Sequence, residues 1–268
     1  MTSAARTTAT KRVPMDSMRM TALAGGLLYL LSFVSIPRLA LFGPVLDDPN
    51  YILGSGSVTG VLVGVVLEMI VAFAIVGTGV ALYPALKRQN QGVALGFVTS
   101  RLFETGVIAV GIISLLTVVT LRQDLGSAAG ADAASLITTG KSLVAIQNWT
   151  FLIGQGLLPG INAILLGSLL YRSALVPRII PALGLIGAPL IISSALGQLF
   201  GINEQVSVWS GIAVLPIFLF ELSLGLYLVF KGFKPSAMAA LASDSKSTDE
   251  PAAPAPSRTA VATKAGAA

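Results

Sequence analysis

Six apolar runs dominate this chain, and each is long enough to cross a lipid bilayer. They extend from Met20 to Ile36, Val58 to Tyr83, Gly92 to Leu121, Ser142 to Tyr171, Ile179 to Phe200 and Val208 to Phe230. A helix rises about 1.5 Å per residue, so about 20 residues span the roughly 30 Å hydrocarbon layer. Inside that layer backbone groups must bond within the protein, which restricts apolar runs of this length to helices. The predicted fold is therefore all-α, an integral membrane bundle of six transmembrane helices.

Composition agrees. Of 268 residues, 54% are hydrophobic and 11% charged, and the mean hydropathy is +0.84. A soluble domain of this size would carry more charge on its surface. Six spans also leave no room for a second folded domain. Residues 1–18 read as a disordered leader and residues 19–234 as the membrane domain. Residues 235–268, rich in Ala, Pro, Ser and Thr, read as a disordered tail. Pro37-Arg38 reads as the end of the first span.

The chain has no Cys and no His. Thiol nucleophiles, disulfides and iron–sulfur ligation are excluded, and the commonest metal ligand and general base are missing. No metalloprotease, phosphate-loop or dinucleotide motif is present, and no Asp lies inside a span. No enzyme activity and no cofactor are expected.

Basic residues set the predicted orientation. Thirteen Lys and Arg fall on the side of the chain ends, including Lys87, Arg88, Arg172, Arg178, Lys231 and Lys234. Three, Arg38, Arg122 and Lys141, fall on the other. Loops rich in Lys and Arg stay in the cytoplasm, so both termini are expected there. The net charge of +5 is absorbed by this pattern, and nucleic acid is not an expected partner. Tyr29, Tyr83, Trp149, Tyr171 and Trp209 are positioned as interfacial anchors.

Four ionisable residues fall inside spans: Glu68, Arg101, Glu104 and Glu221. A charge at the bilayer centre costs at least about 2.5–3.5 kcal/mol, so each should face the bundle interior and find a partner. Counted from the span ends, all four can share one central layer. Gly60, Gly64, Glu68 and Ala72 form a stripe at steps of four, as do Gly92, Gly96, Ser100 and Glu104. Small residues at this spacing let helices approach closely, so each stripe should aim its Glu at a neighbour. Ala213, Glu221 and Gly225 repeat the pattern weakly. Arg101 and Glu104 are three apart and can pair on one helix. Three carboxylates against one guanidinium leave a net −2, which demands protonation, a bound cation or water. Glu68, with no base near it in sequence, is the carboxylate expected to be neutral.

The fourth span is interrupted. Gln155, Pro159, Gly160 and Asn162 are candidates for a helix break that lines a cavity, as in discontinuous transporter helices. An ordinary proline kink is the alternative. Asp47, Asp48 and Asn50 in the first outer loop suit a turn or a cation contact. An echo relates Gly79, Leu82, Tyr83 and Gly96 to Gly167, Leu170, Tyr171 and Gly184 at a constant offset of 88 residues. It fits a parallel repeat of spans two and three in spans four and five, or coincidence among common residues.

Several segments together carry a resemblance. They are GPVLDDPNYILG at 43–54, LYPALKRQNQGVALGFV at 82–98, RLFE at 101–104, LLPGINAILLGSLLYRSALVPR at 157–178 and FELSLGLYLVFKGF at 220–233. In this order they resemble the bacterial membrane proteins grouped as domain of unknown function 4386, over residues 19 to 234. The resemblance implies a small multi-span protein of the bacterial cell membrane, and it carries over no activity and no site residue.

Two functional readings compete. In one, the protein is structural, sensory or accessory, and Arg101 clips two Glu side chains. In the other, it is a proton- or cation-coupled carrier or channel using Glu68, Glu104 and Glu221. A closed cluster without a cavity favours the first; a polar cavity reaching Glu68 favours the second. The expected partners are the lipid bilayer and a second copy or a small membrane protein.

Overall fold

The computed structural model describes residues 15–54, 56–125 and 132–249. The described residues form nine α-helices: α1 Met15–Ser32, α2 Arg38–Asp47, α3 Val58–Leu86, α4 Gln91–Leu125, α5 Ala133–Phe151, α6 Leu158–Ser173, α7 Ile179–Leu199, α8 Val208–Phe230 and α9 Pro235–Asp249. A 3-10 turn, Phe33–Ser35, joins α1 to α2, and a π-helical turn, Leu152–Leu157, joins α5 to α6. Six helical segments are long and apolar enough to cross a membrane: Ser17–Asp47, Val58–Leu86, Gln91–Asp124, Ala133–Ser173, Ile179–Leu199 and Val208–Phe230. The molecule is an all-α membrane bundle. Its terminal face carries the start of α1, the α3–α4 and α6–α7 turns and α9; the opposite face is the distal face.

The first span is longer than its apolar run suggests. Pro37 does not end it. Its missing N–H falls at a bend, where the loss is harmless, and the chain re-enters a helix at Arg38. Three helices that start on the distal face carry side-chain caps. Ser57 accepts the Gly60 N–H, Asp132 the Ala134 N–H and Ser207 the Ser210 N–H, each satisfying an orphan donor of a first turn.

Small residues set the helix contacts. A Cβ on Gly64 would sit 2.5 Å from the Phe42 ring of α2, and one on Gly26 of α1 would sit 2.8 Å from the Gly225 carbonyl of α8. A Cβ on Gly160 would meet Ile192 at 2.7 Å, and one on Gly184 would meet Phe220 at 2.8 Å. Without a hydrophobic drive between helices in lipid, such close approach and cross-helix hydrogen bonds hold the bundle. Ser114 donates to the Leu143 carbonyl at 2.6 Å and Thr105 to the Ala72 carbonyl at 3.1 Å. Large apolar side chains such as Phe73, Leu102, Phe103 and Ile113 face outward, as a lipid-facing surface requires.

The buried apolar residues form two separate cores. One lies toward the terminal face and includes Ala22, Leu82, Phe97, Leu166, Leu170, Phe220 and Leu228. The other lies toward the distal face and includes Phe42, Tyr51, Val61, Val65, Ile108, Leu115 and Val118. Polar groups occupy the level between them.

The tail reading is corrected in part. Residues Pro235–Asp249 form α9. Pro235 sits at its first position, where its missing N–H costs nothing, and the alanines after it are strong helix formers. Leu241 is buried against the terminal-face core, with Ala237 and Met238 packed beside it. The Lys234 N–H also bonds to the Leu175 carbonyl at 2.9 Å. Residues 1–14 of the expected leader and 250–268 of the expected tail lie outside the described residues.

The repeat echo has a local counterpart. Gly79 packs on Val98 of the following helix, and Gly167 packs on Pro181 and Leu185 of its own. Tyr83 carries the Lys87 ammonium over its ring at 5.7 Å, and Tyr171 carries the Arg178 guanidinium at 5.5 Å.

Candidate functional site

The α3 and α4 stripes each bring a Glu to a polar partner on a neighbouring helix. The α3 stripe faces α2: Gly60 lies near Leu41, Gly64 under Phe42, and Glu68 beside Arg38. The Arg38 Nη1 and Glu68 Oε1 atoms are 3.1 Å apart. Gln155 completes this group. Its Nε2 donates to Glu68 Oε1 at 2.8 Å, and its Oε1 accepts from Arg38 Nη2. Phe151 lies 5.0 Å from the guanidinium, face on. Gln155 reaches this position from the π-helical turn. Such a turn inserts one residue into the helix and redirects the side chains beyond it.

The α4 stripe faces α6. Gly96 lies near Leu165, and Glu104 accepts a 2.7 Å hydrogen bond from Asn162 Nδ2. Arg101 is the hub of the second group. Its Nη1 donates to Glu104 Oε2 at 3.1 Å, and its Nη2 donates to Tyr29 Oη at 2.8 Å. Glu221 of α8 stands 3.4 Å from the same Nη2. The Tyr29 and Phe97 rings lie 5.3 Å from the guanidinium, a placement that stabilises a desolvated cation. Arg101 and Glu104 have side chains 5% and 3% exposed, whereas Glu221 is 21% exposed. Glu221 is thus the least enclosed carboxylate of the layer, with the longest contact.

Both groups border one cavity of about 270 Å³ at mid-depth. Its polar wall is formed by Tyr29, Arg38, Thr78, Arg101, Glu104, Gln155 and Glu221. Glu68 does not line it, so the expected cavity reaches Arg38 and Gln155, the partners of Glu68, and not Glu68 itself. Ile36 and Leu39 of the first span and Val214 of α8 form an apolar, outward-exposed rim.

The sequence-derived candidates are distributed as follows. Arg101, Glu104 and Glu221 form one cluster, and Glu68 belongs to the other. Gln155 and Pro159 line the cavity, Asn162 holds Glu104, and Gly160 instead packs against α7. The irregularity in the fourth span is the π-helical turn before Pro159 rather than a break at Pro159-Gly160.

Two readings are corrected. Arg38 is not an outer-loop base; it is 4% exposed and paired with Glu68, so the ground for expecting a neutral Glu68 is gone. Tyr29 is not an interfacial anchor; it is buried against Arg101. The layer therefore holds two guanidiniums against three carboxylates, a surplus of one negative charge if all are ionised.

Chemically, the arrangement places carboxylates beside guanidiniums in a largely buried site. Among the described residues no group of acidic side chains has metal-binding geometry. In the distal loop Asp48 accepts the Asn50 N–H at 2.9 Å, which is turn geometry.

These features define a six-span membrane bundle with a charged layer at its midplane. The chain belongs to the family described as a domain of unknown function (DUF4386), whose model matches residues 24–232. No curated protein and no solved structure matches it significantly.

Proposed function

We propose that this protein is a small membrane carrier coupled to protons or cations, with the mid-depth cavity as its exchange site. The observation that carries this reading is one cavity reaching Arg38, Arg101, Glu104 and Glu221 together. A cavity beside charged groups keeps them within reach of an exchanging ion or solute, which a clip that served packing alone does not need. Ionisable groups held at membrane mid-depth mark ion and substrate paths. The role is non-enzymatic: with neither His nor Cys in the chain, Arg, Glu and Tyr supply binding and charge compensation.

The terminal face is read as cytoplasmic, in a bacterial plasma membrane. With Arg38 withdrawn into the bundle, Arg122 and Lys141 are the distal bases that remain against thirteen on the other side.

A structural or sensory role is the second reading. It is favoured by the way Glu104, with its side chain 3% exposed, is held by both Arg101 and Asn162. Proton flux into liposomes separates the two. Wild-type protein should dissipate an imposed pH gradient, alone or with a co-solute, and Glu221→Gln and Glu104→Gln should lose most of that flux. Wild-type liposomes as tight as empty ones under every gradient would leave the structural reading standing.

A further inference from the structure

We infer that the cavity takes the head of a single-tailed, monocationic amphiphile, which enters sideways from the bilayer between α2 and α8. This deepens the carrier reading and rests on it.

The route comes from helix packing. Toward the terminal face α1 and α8 are in close contact. Gly26 lies against Gly225, and Arg19 donates to the Leu228 and Val229 carbonyls at 2.8 and 2.5 Å. Beyond the bend at Phe33–Ser35 the first span turns onto α3, where Phe42 covers Gly64, while α8 continues against α7 through Ile217 and Gly187. The Phe33 and Phe218 rings meet edge to face at 5.2 Å, where the two helices part. Above that pair lies the mouth of the cavity, rimmed by Ile36, Leu39 and Val214, which are 55%, 61% and 46% exposed. A mouth onto water would be costly to line with such residues, whereas a mouth onto lipid tails is not.

The size of the occupant is set by the volume. About 270 Å³ lies just below the roughly 300–1,000 Å³ of most small-molecule sites. A compact head fits, and its chain is left among the lipids.

The charge is set by the count of partners. Arg38 is taken by Glu68 and Gln155, and Arg101 by Glu104, Tyr29 and Glu221. Both Nη atoms of each guanidinium are engaged, and the remaining Arg101 Nε, which has no partner, is buried away from the cavity opening; this disfavours an anionic head. Glu104 is held by two donors. Glu221, 21% exposed on the cavity wall, meets Arg101 through Oε1 alone at 3.4 Å, and it is the carboxylate most accessible to a cation. A quaternary or protonated amine there brings the layer to neutrality.

The test is binding of labelled decyltrimethylammonium to the full chain in lipid nanodiscs, corrected for empty discs. Saturable binding at about one per chain is expected. Glu221→Gln should weaken it at least tenfold, and Glu221→Asp should keep most of it. Val214→Trp should also weaken it by plugging the mouth while every charge stays in place, so one variant failing to fold does not end the test. Glu204→Gln, in the distal loop, should change nothing. Decanoate should not compete. Unchanged binding in both Glu221→Gln and Val214→Trp, or decanoate binding as tight as the ammonium, overturns the inference. Glu221-dependent proton flux without ammonium binding removes this substrate class and keeps the carrier reading. Ammonium binding without flux keeps the site and removes the carrier.

Discussion

Arg38 Nη1 lies 3.1 Å from Glu68 Oε1, with both side chains almost wholly enclosed. The pair joins the first two spans, and each partner is the other's main source of charge balance. Breaking a buried pair leaves an uncompensated charge and costs about 3–5 kcal/mol, whereas replacing both members by apolar groups is often neutral. Arg38→Met and Glu68→Leu should each lower unfolding stability in detergent by about that amount. The double variant should recover most of the loss. If the two losses simply add, the pair is not a coupled unit.

Gly64 and Gly106 give a matched contrast. A Cβ at Gly64 would overlap the Phe42 ring, and one at Gly106 meets nothing within 4 Å. Overpacking costs roughly 1–3 kcal/mol, so Gly64→Ala should lower the melting temperature clearly. Gly106→Ala should be neutral or slightly stabilising, since Ala is the better helix former by up to about 1 kcal/mol. Equal effects in a thermal melt would contradict the close approach of α2.

Asn162 supplies the 2.7 Å hydrogen bond that fixes Glu104. Leaving a buried acceptor short of a donor costs about 1–3 kcal/mol, more for charged groups. Asn162→Leu should therefore destabilise, and Glu104→Gln should then cost less in its presence than alone. A double-mutant cycle measures the difference; strict additivity would mean the contact carries no coupling.

Tyr51, in the distal loop, should make stability fall at alkaline pH. Burial raises the pKa of its hydroxyl above the ordinary 10.0, with the Arg122 charge pulling it back. The folded protein therefore binds this proton more tightly than the unfolded chain does. The contribution is complete below about pH 10 and is lost as pH rises through the folded-state value. Denaturation between about pH 9 and 12 should show a shallower alkaline decline for Tyr51→Phe than for wild type.

The π-helical turn can be tested by length. It contains one residue more than an α-helical path needs. Deleting Gly156 should restore α-helical register and turn Gln155 away from Glu68. Circular dichroism should stay helical, while stability falls to about the level of Gln155→Leu. A deletion variant with wild-type stability would mean that Gln155 contributes nothing where it sits.

The spans were readable because lipid imposes one simple condition, about twenty apolar residues per crossing. The stripes were readable too. Gly60, Gly64 and Glu68 share a face, and a shared face of small residues must meet something. What met it was not readable. Arg38 follows a proline at the end of an apolar run, which is also how a span ends, and only the resumption at Leu39 to Phe42 hinted otherwise. The π-helical turn has no sequence period of its own, so Gln155 gave no sign that it faces Arg38. Tyr29 sits in a Leu-rich run and betrays its polar contact only in three dimensions. In α9, Pro235 and the apolar Met238 and Leu241 were signals hidden by a composition typical of tails.

The two apolar cores divide the bundle into storeys, and the four longest spans cross between them differently. Helices α3 and α4 pass through unbroken, over 29 and 35 residues. The first and fourth spans each have a knee at the boundary, one at Phe33–Ser35 and one at Leu152–Leu157. Two rigid posts and two jointed ones make an elbowed frame. Such a frame resists compression along the posts, yet its jointed members can swing about them without breaking a long helix. Arg38 and Gln155 sit at those two knees and hold hands across Glu68, so whatever loosens that grip frees both elbows at once.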